Sequence, residues 1–103
     1  MDKNDAIKLS RSYVEKVRQN HIDVLDAWLF GSYAKNNAHD DSDIDIALVV
    51  NYLDKDYSVL NTEPILWRLK RQIDLRIEPH LIARNTDYAG FLDEIQQTGI
   101  LIN

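Results

Sequence analysis

With 103 residues the chain has the size of one compact domain, and 45% hydrophobic against 28% charged residues leaves enough apolar side chain for a buried core. The absence of cysteine excludes a disulfide framework, a thiolate zinc site and thiol chemistry. Twelve Lys and Arg against 17 Asp and Glu give a net charge of −5, which disfavours direct binding to a nucleic-acid backbone by bulk electrostatics.

The first 20 residues carry a charge every few positions and no apolar h-region, so neither a signal peptide nor a membrane span is expected. The expectation is a single domain over 1–103, cytoplasmic and without a membrane partner. Ala6, Leu9, Tyr13 and Val17 recur at helical spacing and predict a helix over 4–18, capped by Asp2 or Asn4. The short apolar run 24–30 ends at Gly31 and predicts a buried strand. A polar, turn-prone stretch over 33–41 follows, and then a second strand over 44–50. Asp54, Lys55 and Asp56 interrupt the apolar residues of 51–61, which reads as a loop. Thr62 as N-cap and Pro64 in the first turn predict a helix over 63–71. Ile73, Leu75 and Ile77 alternate with Asp74, Arg76 and Glu78, which predicts a half-buried strand over 72–78. Tyr88, Phe91, Leu92 and Ile95 predict a last helix over 87–97, closed by Gly99 ahead of the apolar tail 100–102. This order of elements argues for an α/β or α+β domain, a mixed β-sheet flanked by helices.

The densest polar feature is Asp43 and Asp45, one residue apart and so directed to one face of the second strand. Asp74 lies on the polar face of the third predicted strand, and if the two strands are neighbours in register, three carboxylates converge. Two carboxylates about 4 Å apart repel by roughly 4 kcal/mol at an effective dielectric near 20, so the cluster calls for cations or shifted pKa values. Hard oxygen ligands suit Mg²⁺, which binds through one or two carboxylates with water and substrate phosphates. An EF-hand fits Asp41, Asp43 and Asp45 at its first, third and fifth positions, but Ile46 stands where it needs Gly and Tyr52 where it needs Glu. Gly31 and Ser32, after the first strand, present backbone N–H groups and a hydroxyl suited to a phosphate. A plain strand-ending turn is the bland alternative for that dipeptide, a solvated strand face for Asp43 and Asp45, and pairing with Arg76 or Lys70 for Asp74. Glu78 reads as a surface residue, His21, His39 and His80 as turn or surface histidines, and Trp28 and Phe30 as core.

Together, Gly31, Ser32, Asp43, Asp45 and Asp74 in the stretch GSYAKNNAHDDSDIDIALVV and beyond resemble the signature of the DNA polymerase β-like nucleotidyltransferases. The form is similar to that of the minimal nucleotidyltransferases, antitoxins that occur beside a helical HEPN-domain toxin. The resemblance implies the minimal nucleotidyltransferase fold and transfer of a nucleoside monophosphate from ATP or another NTP to a hydroxyl. It implies two Mg²⁺ ions held by Asp43, Asp45 and Asp74, with Asp74 also helping to deprotonate the acceptor, and nucleotide binding by Gly31, Ser32 and Lys35. Lys35 stands where the family commonly has Arg, and Asn36 where it commonly has Gly; lysine meets phosphate as a point charge without a bidentate fork, while Asn tolerates the left-handed conformation. Nothing after Asp74 is long enough for an acceptor-binding domain, so the acceptor is expected on a partner, a tyrosine or other hydroxyl of a HEPN toxin. The alternatives are a binding-only antitoxin that masks its partner, and a nucleotidyltransferase acting on a small molecule or RNA with a separate acceptor-binding subunit.

Overall fold

A computed structural model describes residues 1–39, 41–51, 59–84 and 90–103. The elements are α1 (Lys3–Gln19), β1 (Asp26–Phe30), β2 (Ile44–Val50), α2 (Val59–Lys70), β3 (Ile77–Ala83), α3 (Phe91–Thr98) and β4 (Ile100–Leu101). Asp2 caps α1 through a reciprocal box: the Asp5 amide donates to Asp2 Oδ1 at 2.8 Å, and the Asp2 amide donates to Asp5 Oδ2 at 3.3 Å. The expected helical stripe is the buried one, with Ala6, Tyr13 and Val17 on it alongside Ser10 and Val14. Asn20 and then His21, at φ 65°, end the helix.

The sheet runs β3-β2-β1-β4, with β1 antiparallel to both β2 and β4 and β2 parallel to β3. Helix α2 makes the crossover between the parallel pair, as such a pair requires. One face of the sheet carries Leu29, Ile44, Ile46, Leu48 and Ile77 into a core closed by α1 and α2. The other carries Ala47 and Ile82 toward Ile95 and Leu92 of α3, with Trp28 and Phe30 beside them. Among the described residues this is a mixed four-stranded sheet flanked by three helices, the α+β architecture expected from the order of elements. Tyr13 ties the helical layer together by donating its hydroxyl to the Leu66 carbonyl at 2.9 Å, and burial pushes that phenol well above its ordinary pKa.

Three expectations are corrected. Of the strand expected over 72–78 only Ile77 and Glu78 are strand: before them the chain turns, the amides of Gln72, Ile73 and Asp74 donating to the last carbonyls of α2, and Leu75 is 71% exposed. The alternation there breaks at Leu75, although Ile77 is buried and Ile73 packs against the core, and the strand starts at Ile77 and runs through Pro79. Because β3 is an edge strand, a proline is tolerated within it. Helix α2 begins at Val59, so Pro64 lies inside it and not in its first turn, while buried Leu66 and Leu69 hold the later turns on the core. Finally, the tail 100–102 contributes a strand, pairing Leu29 with Ile100 and Trp28 with Leu101. The loop expected over 51–61 and the start of the last helix lie in part outside the described residues.

Candidate active site

Phe30 pairs with Asp45 across the β1–β2 ladder, and Asp45 pairs with Glu78 across the β2–β3 ladder. Directly paired residues point to one side of a sheet, so these three side chains form a row across three strands. One step along, Ala47 pairs with Trp28 on one side and His80 on the other. The row therefore sits on the α3 face, at the mouth where β1 ends and β2 and β3 begin.

Asp45 is half-buried and uses both oxygens. Its Oδ1 lies 3.2 Å from His80 Nε2, and His80 Nε2 lies 3.9 Å from Glu78 Oε1. Its Oδ2 lies against Gly31, where any Cβ would collide with it. Gly31 also has φ +74°, so a side chain here is opposed by the backbone and by the carboxylate together. Asp43 is exposed just ahead of β2 and shares a hydrogen bond with Glu78. Burial first, then that bond and the charge of Asp45, push the Glu78 carboxyl above its ordinary range. The His80 ring is held edge-on by Phe30 at 5.0 Å between centroids and by Phe91 at 6.5 Å.

After Gly31 the chain forms a run of turns over 31–36, in which the Lys35 amide donates to Gly31 O at 3.1 Å and the Asn37 amide to Ser32 O at 3.0 Å. The amides of Ser32, Tyr33 and Ala34 find no backbone acceptor among the described residues, which leaves them available to an anion. Asn36 takes φ 62°, the left-handed conformation expected of it. A cleft of about 190 Å³ opens beside the turn, lined by Phe30, Gly31, Lys35, Phe91, Glu94 and Thr98 among others.

The structure thus brings Gly31, Ser32, Lys35, Asp43 and Asp45 to one end of the sheet. It does not bring Asp74 into the acidic row: Asp74 lies in the turn before β3, and Arg76 occupies both of its oxygens, Nε to Oδ1 at 3.0 Å and Nη2 to Oδ2 at 2.8 Å. The Arg76 amide also donates to Oδ1, and the guanidinium bonds hold the Asp74 carboxyl below its usual range. Pairing with Arg76, the bland alternative from the sequence, is what the fold realises. The position opposite Asp45 belongs to Glu78. The expectation of Glu78 as a surface residue and His80 as a turn or surface histidine follows from ending the strand at Glu78. Their one-residue separation, the same as that of Asp43 and Asp45, is the signal that places both on one face of a longer strand.

Asp45, Glu78 and His80 offer ligand atoms within 4.8 Å of one another, a donor set that fits a divalent cation. A mixed sheet with a glycine turn pressed onto a carboxylate row of this kind is the frame of a nucleotidyltransferase domain. The chain belongs to the polymerase β nucleotidyltransferase family, whose model matches residues 13–103. Members of that family use an NTP and a divalent metal. Among solved structures, the chain is similar to a candidate nucleotidyltransferase from Sulfolobus solfataricus, with TM-score 0.69 and 23% identity over 96% of this chain and 80% of that one. It is also similar to a chain of a toxin-antitoxin crystallised with AMP-PNP, with TM-score 0.58 and 22% identity over 90% of this chain and 72% of that one. At these identities the likeness is one of fold. No curated protein gives a significant match. No helix among the described residues is long and apolar enough to cross a membrane.

Proposed function

We propose that this nucleotidyltransferase domain moves a nucleoside monophosphate, AMP from ATP, onto a hydroxyl of a protein partner, and that the partner is a HEPN toxin silenced by the modification. The observation that carries the reading is the carboxylate row of Asp43, Asp45 and Glu78 set against the Gly31 turn. The toxin-antitoxin likeness and the sequence resemblance to minimal nucleotidyltransferase antitoxins support the choice of partner. Asp43 and Asp45, with Glu78 in the place first given to Asp74, are the residues that would hold two Mg²⁺ ions. When bound, these ions supply Lewis acidity and neutralise charge at the α-phosphate and the leaving oxygen.

The chain's own groups do the rest. The amides following Gly31 and the Ser32 hydroxyl hold phosphate oxygens, and Lys35 adds a point charge. Glu78, in the place first given to Asp74, would also accept the proton of the acceptor hydroxyl. The acceptor oxygen then bonds to the α-phosphorus, the bond to the bridging oxygen breaks, and pyrophosphate leaves. The test is intact-mass spectrometry of the chain and its co-purified partner with Mg²⁺ and each NTP. A gain of one nucleotide on the partner, absent with Asp45→Asn, is the expected result. Silencing that persists in the Asp43→Asn, Asp45→Asn double variant would overturn it in favour of masking by binding alone.

A further inference from the structure

His80 stands two residues beyond Glu78 on β3, on the same face, and its ring is fixed by the edges of Phe30 and Phe91. Its Nε2 lies 3.2 Å from Asp45 Oδ1 and 3.9 Å from Glu78 Oε1. Two ligand atoms each about 2.1 Å from one octahedral cation sit roughly 3.0 Å apart when adjacent, and the three atoms here already lie within 4.8 Å of one another, so side-chain adjustments of about 1 Å bring them onto one ion. An all-oxygen site suits Mg²⁺, whereas an imidazole nitrogen favours the later divalent metals.

We infer that His80 is a nitrogen ligand of the cation held with Asp45 and Glu78, and that it tilts the site toward Mn²⁺ and its neighbours over Mg²⁺. The inference rests on the cation-dependent transfer proposed above and specifies which cation the centre selects. Only a three-dimensional reading exposes it, because the histidine gains its role from the β2–β3 register that sets it diagonal to Asp45. Its ring carries no other polar partner among the described residues than these two carboxylates. The aromatic contacts of the ring with Phe30 and Phe91 lie beside the approach of its nitrogen to the two carboxylates.

The experiment measures Mn²⁺ and Mg²⁺ affinities of the full chain by titration calorimetry, with pulsed electron paramagnetic resonance of bound Mn²⁺, for the wild type, His80→Asn and His80→Gln. The wild type is expected to show nitrogen modulation from a coordinated imidazole. Both variants lose that signal, and their preference for Mn²⁺ over Mg²⁺ falls by about tenfold while Mg²⁺ affinity changes little. Absence of nitrogen modulation in the wild type overturns the inference, and this spectrum decides it even if a variant fails to fold. Equal losses for both metals also overturn it, since His80 would then act only by orienting Asp45. If both metals bind and transfer proceeds with an unchanged preference in the variants, the ligand assignment alone falls. If neither metal binds the wild type, the transfer reading falls with it.

Discussion

Asp45 on β2 and Glu78 on β3 face one another across a parallel ladder, with His80 Nε2 3.2 Å from an oxygen of the first and 3.9 Å from an oxygen of the second. Burial first, and then the neighbouring acids, raise the Glu78 carboxyl. That tension is what a bound divalent cation relieves.

Replacing Glu78 by Gln is expected to lower nucleotide transfer by about 10²–10⁴-fold, the range for loss of a positioned acid-base group. Asp74→Asn is expected to keep most of the activity and to lower stability by about 1 kcal/mol, a value kept small because Arg76 is partly exposed. Steady-state transfer assays and urea unfolding of the two variants separate the roles. An activity loss in Asp74→Asn equal to that of Glu78→Gln would return the third carboxylate to Asp74.

The two acids also predict opposite pH behaviour. The folded-state pKa of Asp74 lies below its unfolded value of 3.8, so its contribution to stability is present above that value and lost as pH falls through the folded one. The folded-state pKa of Glu78 lies above its unfolded value of 4.5, so the cation-free protein loses stability as pH rises from there through the folded value. Thermal melts in chelator, run from acid to neutral pH, check both. Glu78→Gln should remove the decline on the neutral side, and Asp74→Asn should flatten the acid limb.

Gly31→Ala puts a methyl group where Asp45 Oδ2 lies and forces a left-handed conformation on an L residue. The conformational part costs about 1–2 kcal/mol, and displacing the carboxylate should weaken cation binding by tenfold or more on the scale of about 10–100-fold seen when ligand supports are lost. Calorimetric titration with Mn²⁺ together with a melting curve reads both effects.

In the turn, Asn36→Val should cost about 1–2 kcal/mol because φ is 62°, whereas Asn36→Gly should be near neutral. Lys35→Ala should raise KM for the NTP severalfold with a smaller change in kcat, since an exposed point charge binds phosphate in ground and transition states alike. Lys35→Arg should lower KM. A kcat loss in Lys35→Ala without a change in KM would show that the lysine acts on the transition state.

Local pattern by itself determined much of this protein. The stripe of Ala6, Tyr13 and Val17, the Asp2 cap, the apolar run of β2 and the Gly31 turn each depend on neighbours within a few residues, where periodicity and steric rules operate. The spacing of Gly31, Ser32, Asp43 and Asp45 was sufficient to bring the family into view. The tertiary structure alone decided which third carboxylate joins the row. Asp74 and Glu78 are separated by one helical turn's worth of sequence, and both alternate with apolar residues, so period-two reasoning treats them alike. Long-range pairing separates them: the amides of 72–74 are consumed by the end of α2, Arg76 folds back on Asp74, and β2 takes Glu78 as the partner of Asp45. The same register lifts His80 from an isolated histidine to a neighbour of two acids. Strand register is set by packing and hydrogen bonds between segments more than 30 residues apart, and no window of sequence contains both sides of that contact.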